Sequence, residues 1–307
     1  MTALDIRDLW VSFDTSIGLV HAVDKISFIL ENGETLALVG ETGCGKSVIA
    51  SSILKLLPSN AKYGGKILFH GQNLLDLVEK EISKIRGNDI SLIFQNPSLA
   101  LNPVYRISEQ VAEPLQIHRR LDKREATIRA NSLLSRLMID KESKKYPFQL
   151  SGGMNQRAMI ASSTILSPKI IIADEPTKGL DAHLAERVMD ELVKRKDQSS
   201  SSLLLITHDL SLAQKISDRI AVMYCGDIFE ISSTEDIFSR PAHPYTKALL
   251  NCLPSQGFIP IPGPSPSMTD PPIGCKFHPR CPYNESRCLN KPKILKSEGR
   301  QVRCWLF

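Results

Sequence analysis

The chain has 307 residues, of which 42% are hydrophobic and 23% charged, and its formal net charge is +5. This is the make-up of an ordinary soluble globular protein with one large or two modest domains. No apolar run approaches the roughly 18 residues of a membrane span. The opening residues lack the basic-then-apolar pattern of a signal peptide, so a cytosolic location is expected.

In chain order, residues 4–30 alternate apolar and polar side chains. They read as short antiparallel strands with a turn at Ser16-Ile17-Gly18. The apolar run Thr35-Leu36-Ala37-Leu38-Val39 leads into Gly-Glu-Thr-Gly-Cys-Gly-Lys-Ser at 40–47, which fits G-x-x-x-x-G-K-[ST] at every fixed position. A helix-compatible run from Val48 to Leu57 leads out and stops at Pro58. Strand, glycine loop and helix in that order aim backbone N–H groups and a positive helix end at phosphates. Gly43 and Gly45 let the backbone approach phosphates without a Cβ in the way. Lys46 supplies a point charge for the β- and γ-phosphates, and Ser47 a hydroxyl for Mg²⁺. Gly40, Glu41, Thr42, Cys44 and Val48 complete the loop. Cys44 reads best as a small filler, although a thiol there would expose nucleotide binding to oxidation.

Gly64-Gly65 suggests a turn followed by a strand up to Gly71, and residues 89–95 a strand that ends in the polar loop Asn96-Pro97-Ser98. From Ile107 to about Ser143, apolar residues recur at helical spacing among charged ones. This predicts a helical insertion that runs on through a helix beginning after Gly153. Strand and helix then alternate: a strand at 170–174, a helix around 185–196, and strands at 203–207 and 220–224. That alternation implies a largely parallel sheet with helices on both faces. There is no internal repeat.

Two more motifs bear chemistry. Lys169-Ile170-Ile171-Ile172-Ala173-Asp174-Glu175 is an apolar strand ending in two carboxylates. Asp174 is placed to hold Mg²⁺ through water, and Glu175 to take a proton from attacking water. Leu150-Ser151-Gly152-Gly153-Met154-Asn155-Gln156-Arg157 sets a serine and glycines at a helix start, a second anion site. One chain carrying two half-sites for one nucleotide implies dimerisation.

Together these motifs resemble the nucleotide-binding subunit of an ABC transporter over nearly the whole chain. The resemblance implies that Gln95 touches Mg²⁺ and the membrane partner, and that Ser151 and Gly153 close on the γ-phosphate held by the opposite subunit. It implies that Gly179-Leu180-Asp181 links the two sites, that His208 contacts the γ-phosphate, and that Phe13 stacks on adenine. Asn155, where import relatives carry a basic residue, and Lys178-Gly179 depart from the family pattern at positions expected near the dimer seam.

The C-terminal part narrows the resemblance. Residues 254–272 hold seven prolines, an extended linker into a tail. Four of the chain's seven cysteines, Cys275, Cys281, Cys288 and Cys304, fall in the last 33 residues. In a cytosolic chain such clustering points to a metal rather than disulfides. The spacing contains no C-x₂-C pair, and four thiolates suit either zinc or a [4Fe–4S] cluster. Residues 276–303 carry eight Lys or Arg against two Glu, a charge that suits nucleic acid, anionic lipid or an acidic cofactor. The stretches 240–250, 261–264 and 274–283 are similar to oligopeptide, dipeptide and nickel importers, and this resemblance favours the iron–sulfur cluster.

The expectation is therefore an α/β protein with an ABC-type P-loop NTPase core, an antiparallel β subdomain, a helical subdomain and a Cys-rich C-terminal extension. The expected division is 1–106 and 166–240 for the core, 107–165 for the helical subdomain with the signature motif, and 241–307 for the extension. The resemblance implies an ATP- and Mg²⁺-dependent ATPase at the cytoplasmic face of the membrane that couples hydrolysis to peptide import, with nickel or another small solute as the alternative cargo. The implied partners are two permeases, a second ATPase subunit of the same or a related kind, and an extracytoplasmic binding protein. Two rivals are an ABC-type ATPase acting on nucleic acid and a cytosolic ATPase with a regulatory metal tail. The long coiled coils or large zinc modules of the first are missing from this sequence.

Overall fold

The computed structural model describes residues 1–297 and 299–307, which form two compact units. The first unit comprises Met1–Asp76 and Leu205–Phe307, and the second Leu77–Leu204.

The first unit opens with β1 (Thr2–Thr15) and β2 (Gly18–Glu31), followed by β3 (Thr35–Val39), α1 (Lys46–Ile53), β4 (Ala61–Phe69) and β5 (Gln72–Asn73). β1 and β2 form a hairpin whose register runs from Thr15 opposite Gly18 to Thr2 opposite Glu31. The strands are long rather than short because bulges along β1 let the ladder bend and continue. With β4 and β5 they make an antiparallel sheet in the order β2-β1-β4-β5. Gly64 and Gly65 lie inside β4 rather than in a turn. A Cβ on Gly64 would come within 2.6 Å of the Trp10 ring, and Gly65, at φ +100°, lies against the carbonyls of Arg7 and Asp8. These glycines permit close cross-strand approach at the register shift between Arg7 and Trp10.

β3 is buried at all five positions, as a strand covered on both faces must be. α1 ends earlier than the sequence suggests. Lys55 adopts φ +52°, and the N–H groups of Lys55 and Leu56 return to the carbonyls of Ser52 and Ser51 at 3.1 and 2.8 Å. This pair of bonds is a Schellman close, and it stops the helix before Pro58 is reached.

The second unit contains α2 (Glu79–Ile85), β6 (Ile90–Ile93), α3 (Pro97–Ala100), α4 (Ile107–Arg119), α5 (Lys123–Arg136), α6 (Gly152–Thr164), β7 (Ile170–Asp174) and α7 (Ala182–Gln198). β6 and β7 pair in parallel, both buried throughout. α4, α5 and α6 pack through Ile107, Val111, Leu115, Leu133, Leu134 and Ile160, all nearly inaccessible. Their spacing is the helical stripe seen in the sequence.

β8 (Ser202–Thr207) spans the boundary, and the chain returns to the first unit with α8 (Leu210–Ile216), β9 (Arg219–Tyr224), β10 (Asp227–Ser233), α9 (Thr234–Ser239) and α10 (Pro244–Asn251). β3 and β9 are parallel, and β9 and β10 form an antiparallel hairpin. The tail is more than a linker and a cysteine segment. β11 (Leu295–Ser297) and β12 (Arg300–Val302) extend the sheet, with β12 antiparallel to β10 and Val302 opposite Glu230. Among the described residues no helix is long and apolar enough to cross a membrane.

Candidate nucleotide-binding site

Residues 40–45 connect β3 to α1, and with Lys46 and Ser47 of the helix's first turn they form a glycine-lined cradle. Gly40, Gly43 and Gly45 all have positive φ (153°, 81° and 106°). A Cβ on Gly40 would meet the Met223 carbonyl at 2.0 Å, and one on Gly45 the Ala22 carbonyl at 2.1 Å. Both positions therefore exclude any other residue. Gly43 differs, because a Cβ there would meet nothing within 4 Å and the residue faces open space. Lys46 is buried, and its Nζ donates to the carbonyls of Gly40 and Glu41 at 2.8 and 2.9 Å. The ammonium thus closes the loop on itself while Thr42 and Ser47 stay exposed. Cys44 is buried, and burial raises its thiol pKa against the opposing influence of Lys46. A buried, protonated thiol packs as a filler and is poorly placed to react. Val48, the third residue of α1, is half-buried.

Glu41 is held by residues that sequence reasoning missed. Its N–H donates to the Tyr245 hydroxyl at 3.2 Å. Its carboxylate accepts from Arg280 at 3.0 and 3.1 Å and from the Ser265 hydroxyl. The only advance signal was chemical: an acidic residue inside a loop suited to anions requires a cation.

Phe13 is half-buried on β1, opposite Val20 and Ala61. His208 is exposed directly after β8, where the Thr207 hydroxyl accepts from the Asp209 N–H at 3.0 Å. With the phosphate loop, these residues make up the first unit's share of the predicted site.

The second unit carries the rest. Gln95 is half-buried just past β6. Asp174 closes β7, and Glu175 follows at φ +49°; both are buried, at 7% and 8% exposure. A non-glycine residue in the left-handed region marks a turn over-determined by its surroundings, a feature concentrated at working sites. Ser151 caps α6, its Oγ accepting from the Met154 N–H at 3.3 Å. Gly152 is exposed and open, whereas a Cβ on Gly153 would come within 2.8 Å of Leu180 Cδ2. Gly153 therefore lies against the side chains of Leu180 and Leu184. Asp181 caps α7 through Oδ1 to the Leu184 N–H at 2.9 Å. Asn155 is buried, and its Nδ2 donates to the Pro147 carbonyl at 3.0 Å.

In the tail, Cys275, Cys281, Cys288 and Cys304 are free thiols lining one pocket with His243, His278 and Trp305. Burial pushes the Cys275 thiol up to about 11 and raises Cys281 and Cys304 as well. Among the described residues, no group of three or more His, Cys, Asp or Glu stands ready to hold a metal ion. The expected metal therefore finds four thiols in one pocket without a preformed ligand set.

The tail's positive charge is largely neutralised within the chain. Lys276 and Lys291 pair with Asp24 at 3.0 and 2.9 Å, and Lys291 and Arg303 with Asp227 at 2.8 and 3.2 Å. Arg280 pairs with Glu41, Arg287 with Glu285 and Arg300 with Asp236. A basic face available to nucleic acid is not what these residues form.

A P-loop cradle between β3 and α1, an apolar strand ending in Asp174 and Glu175, and a serine-capped helix after a glycine pair define an ABC-type ATPase. Residues 23–178 match the ABC transporter family, and residues 229–288 match the C-terminal region of oligopeptide/dipeptide transporters. The chain belongs to the ABC transporter ATP-binding family and is an ATPase of that family. It is 42% identical to the dipeptide transport ATP-binding protein DppD of Bacillus subtilis, over 99% of this chain and 94% of that protein. It is 39% identical to the oligopeptide transport ATP-binding protein OppD of Escherichia coli, over 98% and 92%. Among solved structures it is similar to the dimeric ABC transporter cassette MJ0796, with a TM-score of 0.70 and 26% identity over 75% of this chain and 98% of that one. That cassette has also been captured as a dimer after hydrolysis, bound to ADP and phosphate.

Proposed function

We propose that this chain is the ATP-hydrolysing subunit of a peptide importer, docked at the cytoplasmic face of two membrane permeases and working as a dimer of ATPase subunits. The observation that carries the peptide assignment is the match of residues 229–288 to the oligopeptide/dipeptide C-terminal region, joined to an ABC core in one chain. An extracytoplasmic binding protein delivers the cargo.

In this reading the loop from Gly40 to Val48 wraps the phosphates, with Lys46 leaving the carbonyls of Gly40 and Glu41 for the β- and γ-oxygens. Phe13 stacks on adenine. Ser47, Gln95 and Asp174 are the residues that would hold Mg²⁺, an oxygen donor set suited to a hard cation that neutralises phosphate charge. Glu175 accepts the proton of the attacking water, and His208 contacts the γ-phosphate. Ser151, Gly152 and Gly153 of one subunit complete the site of the other, with Asp181 at the link. Hydrolysis needs positioning and charge stabilisation more than covalent chemistry, and these residues supply both.

The four tail thiols would hold a [4Fe–4S] cluster, or zinc in its place. What supports this is chemistry alone: four free thiols line one pocket, and metal binding would have to gather them and draw off their protons. Such a group would be structural, tying residues 275–304 together. Anaerobically purified protein is expected to be brown with broad visible absorption. Colourless protein with stoichiometric zinc would replace the cluster by zinc, and protein free of both would remove the metal.

The functional test is reconstitution with the permeases and binding protein in vesicles. Peptides are expected to stimulate ATP hydrolysis and to accumulate on the trans side. Stimulation by nickel alone, with no response to peptides, would overturn the peptide assignment.

A further inference from the structure

The phosphate-loop pattern leaves position 41 unspecified, yet this chain puts a carboxylate there. A negative charge one residue after the first loop glycine opposes the binding of a polyanion unless something offsets it. The offset comes from the C-terminal extension. Arg280 reaches Glu41 at 3.0 Å, and the two side chains are only 8% and 21% exposed, so solvent screens the pair weakly. The guanidinium is fully engaged. It also donates to the Tyr224 hydroxyl at 3.0 Å, the Pro262 carbonyl at 2.9 Å and the Ile261 carbonyl at 3.4 Å. Ser265 and Tyr245 hold the same glutamate from two further points of the chain. On the other flank of the loop, Lys276 donates to the Cys225 carbonyl at 2.8 Å, and the next N–H, from Gly226, donates to the Cys44 carbonyl at 2.9 Å. Residues 275–281 thus brace the loop at both ends and begin and finish at two of the pocket thiols.

We propose that Arg280 is a positioning residue of the ATP site. It neutralises Glu41 and fixes the first turn of the phosphate loop, which makes the C-terminal extension part of the nucleotide-binding machinery. The proposal rests on the reading that residues 40–48 hold the phosphates.

The test measures equilibrium binding of Mg·ATP to the full chain, and KM and kcat for ATP in the assembled importer. Arg280→Ala is expected to raise Kd and KM together by about tenfold while kcat stays within about twofold, the pattern of lost uniform binding. Arg280→Lys keeps the charge without the fork and is expected to lose about threefold. Glu41→Gln placed in the Arg280→Ala chain removes the stranded carboxylate and is expected to recover most of the lost affinity. Unchanged ATP affinity in Arg280→Ala overturns the proposal. So does a loss that Glu41→Gln leaves uncorrected, since that result means generic loosening of the extension. If Arg280→Ala fails to fold, Arg280→Lys and the double variant decide by the same criteria. Lys46→Ala separates the two readings: if it binds Mg·ATP like the native chain, residues 40–48 are not the phosphate site, whatever Arg280 does.

Discussion

Single residues decide whether the phosphate loop exists at all. Gly45 combines φ +106° with a backbone carbonyl where its Cβ would go. Gly45→Ala therefore cannot relax by a side-chain shift. We expect a loss of about 2 kcal/mol or more in unfolding free energy, together with loss of ATP binding, measurable by denaturant melts and calorimetry. The same substitution at Gly43, which faces open space, keeps the φ penalty without the clash, and its stability loss is expected to be smaller. The motif spacing made both glycines legible in the sequence, but their different reasons were not. One excludes a side chain for packing, whereas the other leaves room for a ligand. The need for a cation near Glu41 was legible, but its identity as Arg280 was not, because the two lie 239 positions apart and no local pattern links them.

At the scale of elements, periodicity and capping chemistry explain what the sequence revealed. β3, β7 and β8 are short, wholly buried apolar runs, and they stand where the pattern puts them. α4 and α5 follow their helical stripe. The misses were of another kind. The twin glycines of β4 mimicked a turn because their role, close cross-strand approach to Trp10, is tertiary. The tail strands β11 and β12 were hidden because three residues carry no period. Asp181 caps α7 beneath the signature loop, so Asp181→Ala should cost about 1 kcal/mol of stability, read by thermal or urea unfolding. Asp24 anchors the tail through Lys291 and Lys276. Burial raises its pKa, but the two ammonium groups outweigh that and hold it at about 2, below its ordinary 3.8. A depressed carboxyl pKa adds stability that is fully present above about 4 and is lost as the pH falls towards about 2. The advantage of the native chain over Asp24→Asn in thermal melts should therefore be present at pH 6 and vanish across that acid window. An advantage that grew on acidification would contradict the assignment.

For the whole molecule, the charge balance tells most. The sequence showed a basic tail and left nucleic acid open. The folded chain spends that charge on Asp24, Asp227, Asp236 and Glu41, binding the extension to the nucleotide half of the protein. The extension is thereby tied to an ATP site whose proposed base is Glu175, and that role is tested by phosphate release from Mg·ATP by Glu175→Gln against the native chain, on samples that bind nucleotide equally. The variant's rate is expected to be lower by about 100-fold or more, the usual contribution of a positioned general base. A rate within a few-fold of native would contradict it.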